Sequence, residues 1–280
     1  MHPSAGVSVR VLAPPTWRSA ATWSQVARLG HYRDLLSTLS RHRINVRYKQ
    51  SKLGALWAVL QPFTMMLVFT AVFARLVHVP SEGVPYALFA YAGLLPWTCF
   101  SSAVSNSTNS LVGHAQLVTK VFFPREILPL SYVIAAGVDL AIGAAVLVGL
   151  AIYYSVPLTA ELWFVVPIVA VLGGYALACG LVLSAVQVRF RDVGVALPIA
   201  LQLLMFASPV LYPLRVVPAQ WRTLYLLNPL AGLIDGFRRS VLGMPVDGQA
   251  LLVGTAVTMV ALPLAYVAFK YADVTVADVI

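Results

Sequence analysis

Charge is missing from six long stretches of this chain. No Asp, Glu, Lys or Arg occurs in 53–74, 83–119, 140–160, 162–188, 193–214 or 248–269. Each run has about 20 residues or more, and an α-helix of that length spans the roughly 30 Å of a bilayer's hydrocarbon. Only Asp139 interrupts the extension of the third run back to residue 127. Spans are therefore expected near 54–77, 87–111, 129–153, 163–187, 194–214 and 249–270. A soluble domain carries about a quarter charged residues. This chain has 10%, with a mean hydropathy of +0.83, too little charge to coat a water-soluble fold of 280 residues. The expected class is all-α integral membrane.

The remaining charge gives an orientation. Basic residues near span ends tend to stay on the cytoplasmic side. The segment before the first span holds Arg28, Arg33, Arg41, Arg43, Arg47, Lys49 and Lys52. Lys120 and Arg125 follow span two, Arg189 and Arg191 follow span four, and Lys270 ends span six, whereas 78–86 and 154–162 carry only Glu82 and Glu161. Both termini are expected in the cytoplasm. The basic N-terminus lacks the short apolar core and small-residue cleavage site of a secretory signal.

Two regions depart from plain spans. Residues 215–247 should face outward yet carry Arg215, Arg222, Arg238 and Arg239 beside Asp235 and Asp247. That is too much charge to cross lipid unaided. Asn228-Pro229 suits a helix start, since Asn caps and Pro fits the first turn. The region is expected to form two re-entrant half-helices, one ending near Leu227 and one starting at Pro229. In 31–52, Leu35, Leu39 and Val46 recur near helical spacing among basic residues, the pattern of an amphipathic helix lying at the membrane surface. The expected organisation is a flexible tail over 1–30, an interfacial helix over 31–52 and a six-helix transmembrane domain over 53–280.

Catalytic patterns are absent from the sequence. There is no G-x-x-x-x-G-K-[ST] phosphate loop, no H-E-x-x-H and no G-x-S-x-G. The five His are scattered without metal spacing, and Cys99 and Cys179 lie in apolar runs. Topology accounts for the basic excess, so nucleic acid is not an expected partner. Asp139, the one acid well inside an expected span, reads either as a structural hydrogen-bonding group or as a proton relay. Around the first two spans, Trp57, Phe63, Phe69, Phe73, Trp97 and Phe100 read either as a wall on which sugar rings stack or as interface and core aromatics. The polar run 101–110, with Ser105 and Asn109, wraps every side of a helix, so part of it should line water or a protein interface.

Several motifs, in order, resemble the permease subunits of bacterial ABC exporters for polysaccharide, O-antigen and teichoic acid. They are Tyr32-Arg33-Asp34-Leu35-Leu36 with Val46-Arg47-Tyr48-Lys49-Gln50-Ser51-Lys52-Leu53-Gly54, Trp57 and Pro62; Lys120-Val121-Phe122-Phe123-Pro124-Arg125-Glu126-Ile127-Leu128-Pro129; Arg189-Phe190-Arg191-Asp192; and Ser208-Pro209-Val210-Leu211-Tyr212-Pro213 with Asn228-Pro229. The resemblance covers about 30–275. It implies a bacterial plasma (inner) membrane permease without its own ATPase site, working as a homodimer with two ATP-binding cassette subunits that hold ATP and magnesium. Its cargo would be a lipid-linked glycan: O-antigen, teichoic acid or, since Arg outnumbers Lys fifteen to four as in GC-rich genomes, a cell-wall galactan. A drug or lipid exporter of the same fold is the alternative, and a membrane-embedded transferase a more distant one.

The resemblance also assigns roles. Phe122, Phe123, Pro124, Arg125 and Glu126, with Arg189, Arg191 and Asp192, would couple the spans to the ATPase; the plainer reading is a cytoplasmic turn. Arg41, Arg43, Arg47, Tyr48 and Lys49 would meet the carrier's pyrophosphate, or simply anionic lipid, at about 1 kcal/mol per basic residue. Tyr212, Asn228, Pro229, Asp235 and Arg238 would form an outer gate.

Overall fold

The computed structural model describes residues 32–49, 54, 56–77, 79–121, 123–157 and 159–279, with the side chains of 46–49, 75–77 and 274–279 outside that description. The expected tail over 1–30, Phe122, and the side chains of Arg47, Tyr48 and Lys49 therefore lie outside the described residues.

Among the described residues every regular element is helical. Helix α1 spans Arg33–Lys49. Helix α2 spans Leu56–Phe69 and continues as a π-helix over Thr70–Val77. Helix α3 spans Tyr86–Thr108, followed by the short α4 (Ser110–Gly113) and α5 (Ala115–Lys120). Helix α6 spans Ile127–Tyr153, and α7, Val165–Arg189, is entered through a 3₁₀ turn at Ala160–Phe164. Then come α8 (Val193–Phe206), α9 (Ala219–Leu226), α10 (Pro229–Val241) and α11 (Gly248–Val279).

Among the described residues, five helical segments are long and apolar enough to cross a membrane: Leu56–Ala74, Tyr86–Thr108, Ile127–Tyr153, Ala160–Arg189 and Gly248–Asp273. They match five of the six expected spans. The sixth run differs. Its helix α8 has 14 residues, about 21 Å at 1.5 Å per residue. The chain leaves the helix after Phe206, where Pro209 and Pro213 bring no backbone donor.

Helix α3 is the axis of the bundle. It packs along both α6 and α7, and α11 packs along α7. In α3, 72% of the most apolar window is buried inside the chain, against 11% in α2. Lipid offers no hydrophobic drive for helix association, so close packing and interhelical hydrogen bonds must hold such helices together. Tyr91 donates to the Gly143 carbonyl at 3.0 Å, and Ser107 to the Pro129 carbonyl at 3.0 Å, tying α3 to α6. Gln187 Nε2 donates to Asn109 Oδ1 at 2.6 Å, tying α7 to the end of α3. Where α10 crosses α11, a Cβ on Gly232 would overlap the Ala250 carbonyl, so only glycine lets these backbones approach.

Helix α1 lies along α6. Its Leu35 and Leu39, with Tyr32 just before the helix, pack on a cluster containing Leu111, Val118, Phe123, Leu128 and Phe269. Leu35 and Leu39 of the expected apolar stripe thus cover the bundle itself, and Asp34 in the first turn complements the helix's positive end.

Candidate functional site

Three polar constructions stand out in this apolar bundle. The first surrounds α10. Asn228 caps that helix by accepting from Leu230 N at 3.1 Å, with Pro229 opening the first turn. Its Nδ2 donates to the buried Ser208 Oγ at 2.9 Å, which fixes the start of α10 on the 207–213 segment. One turn from the other end, Arg238 is 0% exposed. Its Nη2 donates to the carbonyls of Pro209 and Val210 at 2.6 Å each, and Nη1 to Tyr212 O at 3.4 Å.

These carbonyls belong to backbone that has left the α8 helix, and a buried carbonyl without a donor costs several kcal/mol in lipid. Five donors in a rigid fork make arginine the side chain that can collect them. The guanidinium also sits 4.0 Å over the Phe89 ring, and its charge is met by Asp235 at 3.7 Å. Asp235 pairs in turn with Arg239 at 2.7 Å; Arg239 and Arg215 both reach Glu82, each at 3.1 Å. A Cβ on Gly93 of α3 would overlap the Arg238 guanidinium, so α3 is cut away there to admit it. The residues expected at an outer gate, Tyr212, Asn228, Pro229, Asp235 and Arg238, are all brought together. Tyr212 adds a hydroxyl contact to Tyr225 at 3.0 Å.

The second construction is at the turn before α6. Phe123 is buried in the apolar cluster beneath α1, so its ring faces the chain's own interior. Glu126, also buried, accepts from Lys270 Nζ at 2.7 Å and from the Tyr266 hydroxyl at 3.3 Å. Arg125 Nη1 donates to the Asp273 carboxylate at 2.9 Å and to its carbonyl at 2.6 Å. This turn is therefore clamped to the end of α11. Arg189, Arg191 and Asp192 form a separate exposed corner between α7 and α8, with Asp192 at the N-terminus of α8.

The third construction joins α1 to α3 and α6. Arg43 Nε donates to Ser131 Oγ at 2.6 Å, and the guanidinium lies 3.5 Å over the Tyr132 ring, a cation–π contact. Burial holds this guanidinium below its ordinary range. His114, whose ring stands edge-on to Tyr132 at 6.3 Å, bonds the Ser110 carbonyl through Nδ1 at 3.0 Å. A carbonyl can only accept, so Nδ1 carries a proton. Burial, followed by repulsion from Arg43 and His42, keeps the His114 pKa below its usual value, although the Ser110 bond works the other way. A cavity of about 410 Å³ opens beside these groups and extends to Ser102, Asn106 and Asp139. Arg41 is exposed on the same helix, outside that lining.

The aromatic residues divide. Trp57 is half exposed on α2. Phe63, Phe69 and Phe73 are partly buried and pack on the core. Trp97 and Phe100 are buried within it, Phe100 stacked on Tyr175 at 5.5 Å. Of the polar run, Ser107, Thr108 and Ser110 are buried, Ser105 is half-buried, and Asn106 and Asn109 are exposed. Among the described residues, no group of three or more His, Cys, Asp or Glu is placed to hold a metal ion.

Residues 34–242 match the family described as ABC-2 type transporter, well over half of the chain. The chain belongs to the ABC-2 type transporter family. Among curated relatives, it is 34% identical over 218 residues to the O-antigen export system permease protein RfbA of Myxococcus xanthus, covering 76% of this chain and 82% of that one. RfbA of Klebsiella pneumoniae is 30% identical over 213 residues, 75% of this chain and 81% of the relative. The polysialic acid transport protein KpsM of Escherichia coli is 27% identical over 225 residues, covering 77% and 84%.

Several site residues of this ABC-2 transporter were not legible from motifs. Glu82 read only as a lone outward charge, and Lys270 only as a basic flank, yet each is a partner in a buried or half-buried ion-pair group. Glu82 lies 157 positions from Arg239 and Glu126 lies 144 from Lys270, beyond any local pattern. A signal existed for one pair: Asp235 and Arg239 stand four apart on a helix, the spacing at which opposite charges meet.

Proposed function

We propose that this chain is the membrane subunit of a bacterial exporter that moves a lipid-linked polysaccharide out of the cytoplasm, driven by a separate ATP-binding cassette subunit. The observation that carries the reading is the match to O-antigen and polysialic acid permeases over three quarters of the chain. Membership of the ABC-2 family implies the ATPase partner, which agrees with a sequence that has no phosphate loop. ATP and magnesium then belong to that partner.

The finer parts of the proposal follow from charge and length. Two copies of the chain pair in the inner membrane with two ATPase subunits. Both termini lie in the cytoplasm, because the basic connections share that side. Helix α8 with the 207–213 segment supplies a sixth crossing, and α9 and α10 form the re-entrant pair beyond it. Arg238 of α10 meets the carbonyls of Pro209, Val210 and Tyr212, the kind of partner that non-helical backbone at membrane depth requires. The turn at 123–126 and the corner at 189–192 then face the ATPase. Motion imposed there reaches α11 through the Glu126–Lys270 and Arg125–Asp273 pairs. The Arg238 group holds the opposite end closed to ions and water. The glycan passes along the polar face of α3 (Ser105, Asn109) and the aromatic residues of α2 (Trp57, Phe63, Phe69, Phe73), whereas Trp97 and Phe100, expected on the same wall, lie buried in the core.

Depletion of the protein in its native cell, with lipid-linked glycans assayed on each face of the membrane, tests the reading. A finished lipid-linked polymer should accumulate on the cytoplasmic side. Unchanged glycans with altered drug tolerance or lipid asymmetry would instead assign the chain to drug or lipid export.

A further inference from the structure

Helices α3, α6 and α7 pack together, yet they do not close on one another midway along the bundle. Ser107 of α3 marks a common level: it bonds the Pro129 carbonyl of α6, and a Cβ on Gly180 of α7 would overlap it. Seven or eight residues further into the bundle stand Phe100, Gly137 and Gly173, about 11 Å away at 1.5 Å per residue. Each lies at least eight residues, about 12 Å, from either end of its helix. All three helices are long and apolar enough to cross a membrane, so this level falls at hydrocarbon depth. Here a cavity of about 310 Å³ opens between them. Phe100, Ala103, Leu172 and Ala176, all buried, form its floor. Among the described residues lining it, Cys99 carries the one polar side chain.

Water has little to hold it in such a space. A buried water makes about three hydrogen bonds, and a thiol is a weak donor. An engineered apolar cavity of roughly 150 Å³ stays dry and takes up benzene instead. Nor does the chain fill the space, although it has room to do so. A Cβ on Gly137 would meet nothing within 4 Å, and one on Gly173 would meet the Val133 methyl at 3.7 Å, an ordinary contact. Glycine is less favourable than alanine inside a helix, and an unfilled cavity costs stability in proportion to its volume. Two glycines that no close backbone approach requires therefore keep an apolar space open.

The opening of the cavity points to its occupant. Its lining includes Ala170 of α7, which is exposed. Ile134, one turn from Gly137, is 39% exposed, and Val166, one turn from Ala170, is 73% exposed. The cavity is thus continuous with an apolar outer surface of membrane-crossing helices, the surface that the bilayer's hydrocarbon covers.

We propose that this cavity is a binding site for one acyl chain of a bilayer phospholipid, which enters between α6 and α7 and packs on Phe100 and the Cys99 thiol. At about 30 Å³ for a water-sized group, the volume takes on the order of ten methylenes, part of one chain and not two. The chain completes the packing of α3, while the charged headgroup stays outside at the membrane surface. The site is independent of the cargo, so it stands or falls apart from the glycan-export reading.

The test uses the full chain with its ATPase subunit in nanodiscs doped with a phosphatidylethanolamine that carries a diazirine midway along one acyl chain. After illumination, lipid adducts are located by mass spectrometry. Adducts should form at 99–103 at least fivefold above those at the buried control segment 89–92 of the same helix. Gly137→Leu, which fills the cavity, and Ala170→Phe, which plugs its rim, should each cut the 99–103 signal at least fivefold. Val148→Phe, at an exposed position of α6, should leave it within twofold. Ala170 is exposed, so its variant carries the test if Gly137→Leu fails to fold. A wild-type signal at 99–103 no higher than at 89–92, or one unchanged by Ala170→Phe, would overturn the proposal. Displacement of the adduct at least tenfold by equimolar farnesol would give the cavity to isoprenoid chains and overturn the phospholipid assignment.

Discussion

The two ends of the bundle both bury charge, but they do so differently. Around α10, Arg238 and Asp235 are almost wholly enclosed, and their partners come from α3, the 208–212 backbone and the turn at Glu82. At the opposite end, Arg125, Glu126, Lys270 and Asp273 link only two elements, the turn before α6 and the end of α11, and Arg125 and Asp273 keep 19% and 23% of their side-chain surface exposed. The first arrangement is cross-braced and fills the space it occupies. The second is a strut between two movable parts. Coupling to a nucleotide-driven partner, on the proposed reading, needs the second kind of joint where force enters and the first kind where the barrier must hold.

Breaking the braced end should have the largest effect. Arg238→Leu leaves three backbone carbonyls without their donor and Asp235 buried beside one remaining cation. Removing one partner of a buried pair costs about 3–5 kcal/mol, so detergent-solubilised protein should show a sharply lower melting temperature and reduced yield. A variant that melts like the wild type would mean the Arg238 contacts contribute little.

The strut should respond less in stability and more in activity. Lys270→Ala removes a charge-assisted bond to Glu126, worth about 1.5–3 kcal/mol. Glycan-stimulated ATPase of the complex should fall by more than basal ATPase. The exchange Glu126→Lys with Lys270→Glu should recover part of the stimulation. No recovery, with both single variants impaired, would show that Glu126 acts through something other than this pair.

How much of this contrast the sequence displays depends on range. The break at Asn228-Pro229 is legible because capping is local: an acceptor side chain meets a free backbone donor two residues on. The spans are legible because a missing charge needs no partner to be read. Arg238 is not legible in the same way. In a sequence it is one more basic residue in a polar loop, and only the approach of 208–212 and the gap at Gly93 turn it into a buried keystone. Helix α8 falls short of its apolar run for a related reason, since the last residues of the run are apolar yet serve as a loop around that guanidinium. Phe123 and Trp97 show the other limit: an aromatic side chain suits a docking knob, a channel wall or a core equally, and both lie in the core of this chain.

The smallest effect sharpens the comparison. Asn228→Ala removes a cap and the bond to Ser208, about 1 kcal/mol for the cap itself. The start of α10 should loosen while the Arg238 contacts stay, visible as faster amide exchange at 229–232 with protection at 235–241 kept. Loss of protection along the whole helix would mean that the cap, and not Arg238, anchors the region.

The most direct test of the account is transport itself, measured with the chain and its ATP-binding cassette partner in proteoliposomes whose inward-facing leaflet has been cleared of a short lipid-linked glycan. In right-side-selected vesicles with the ATPase outward, ATP should move the outer-leaflet glycan to the interior, protecting it from an added glycosidase, and the wild-type rate should fall in the Lys270→Ala variant. ATP hydrolysis that leaves the glycan fully digestible would contradict the assignment of this chain as a glycan exporter.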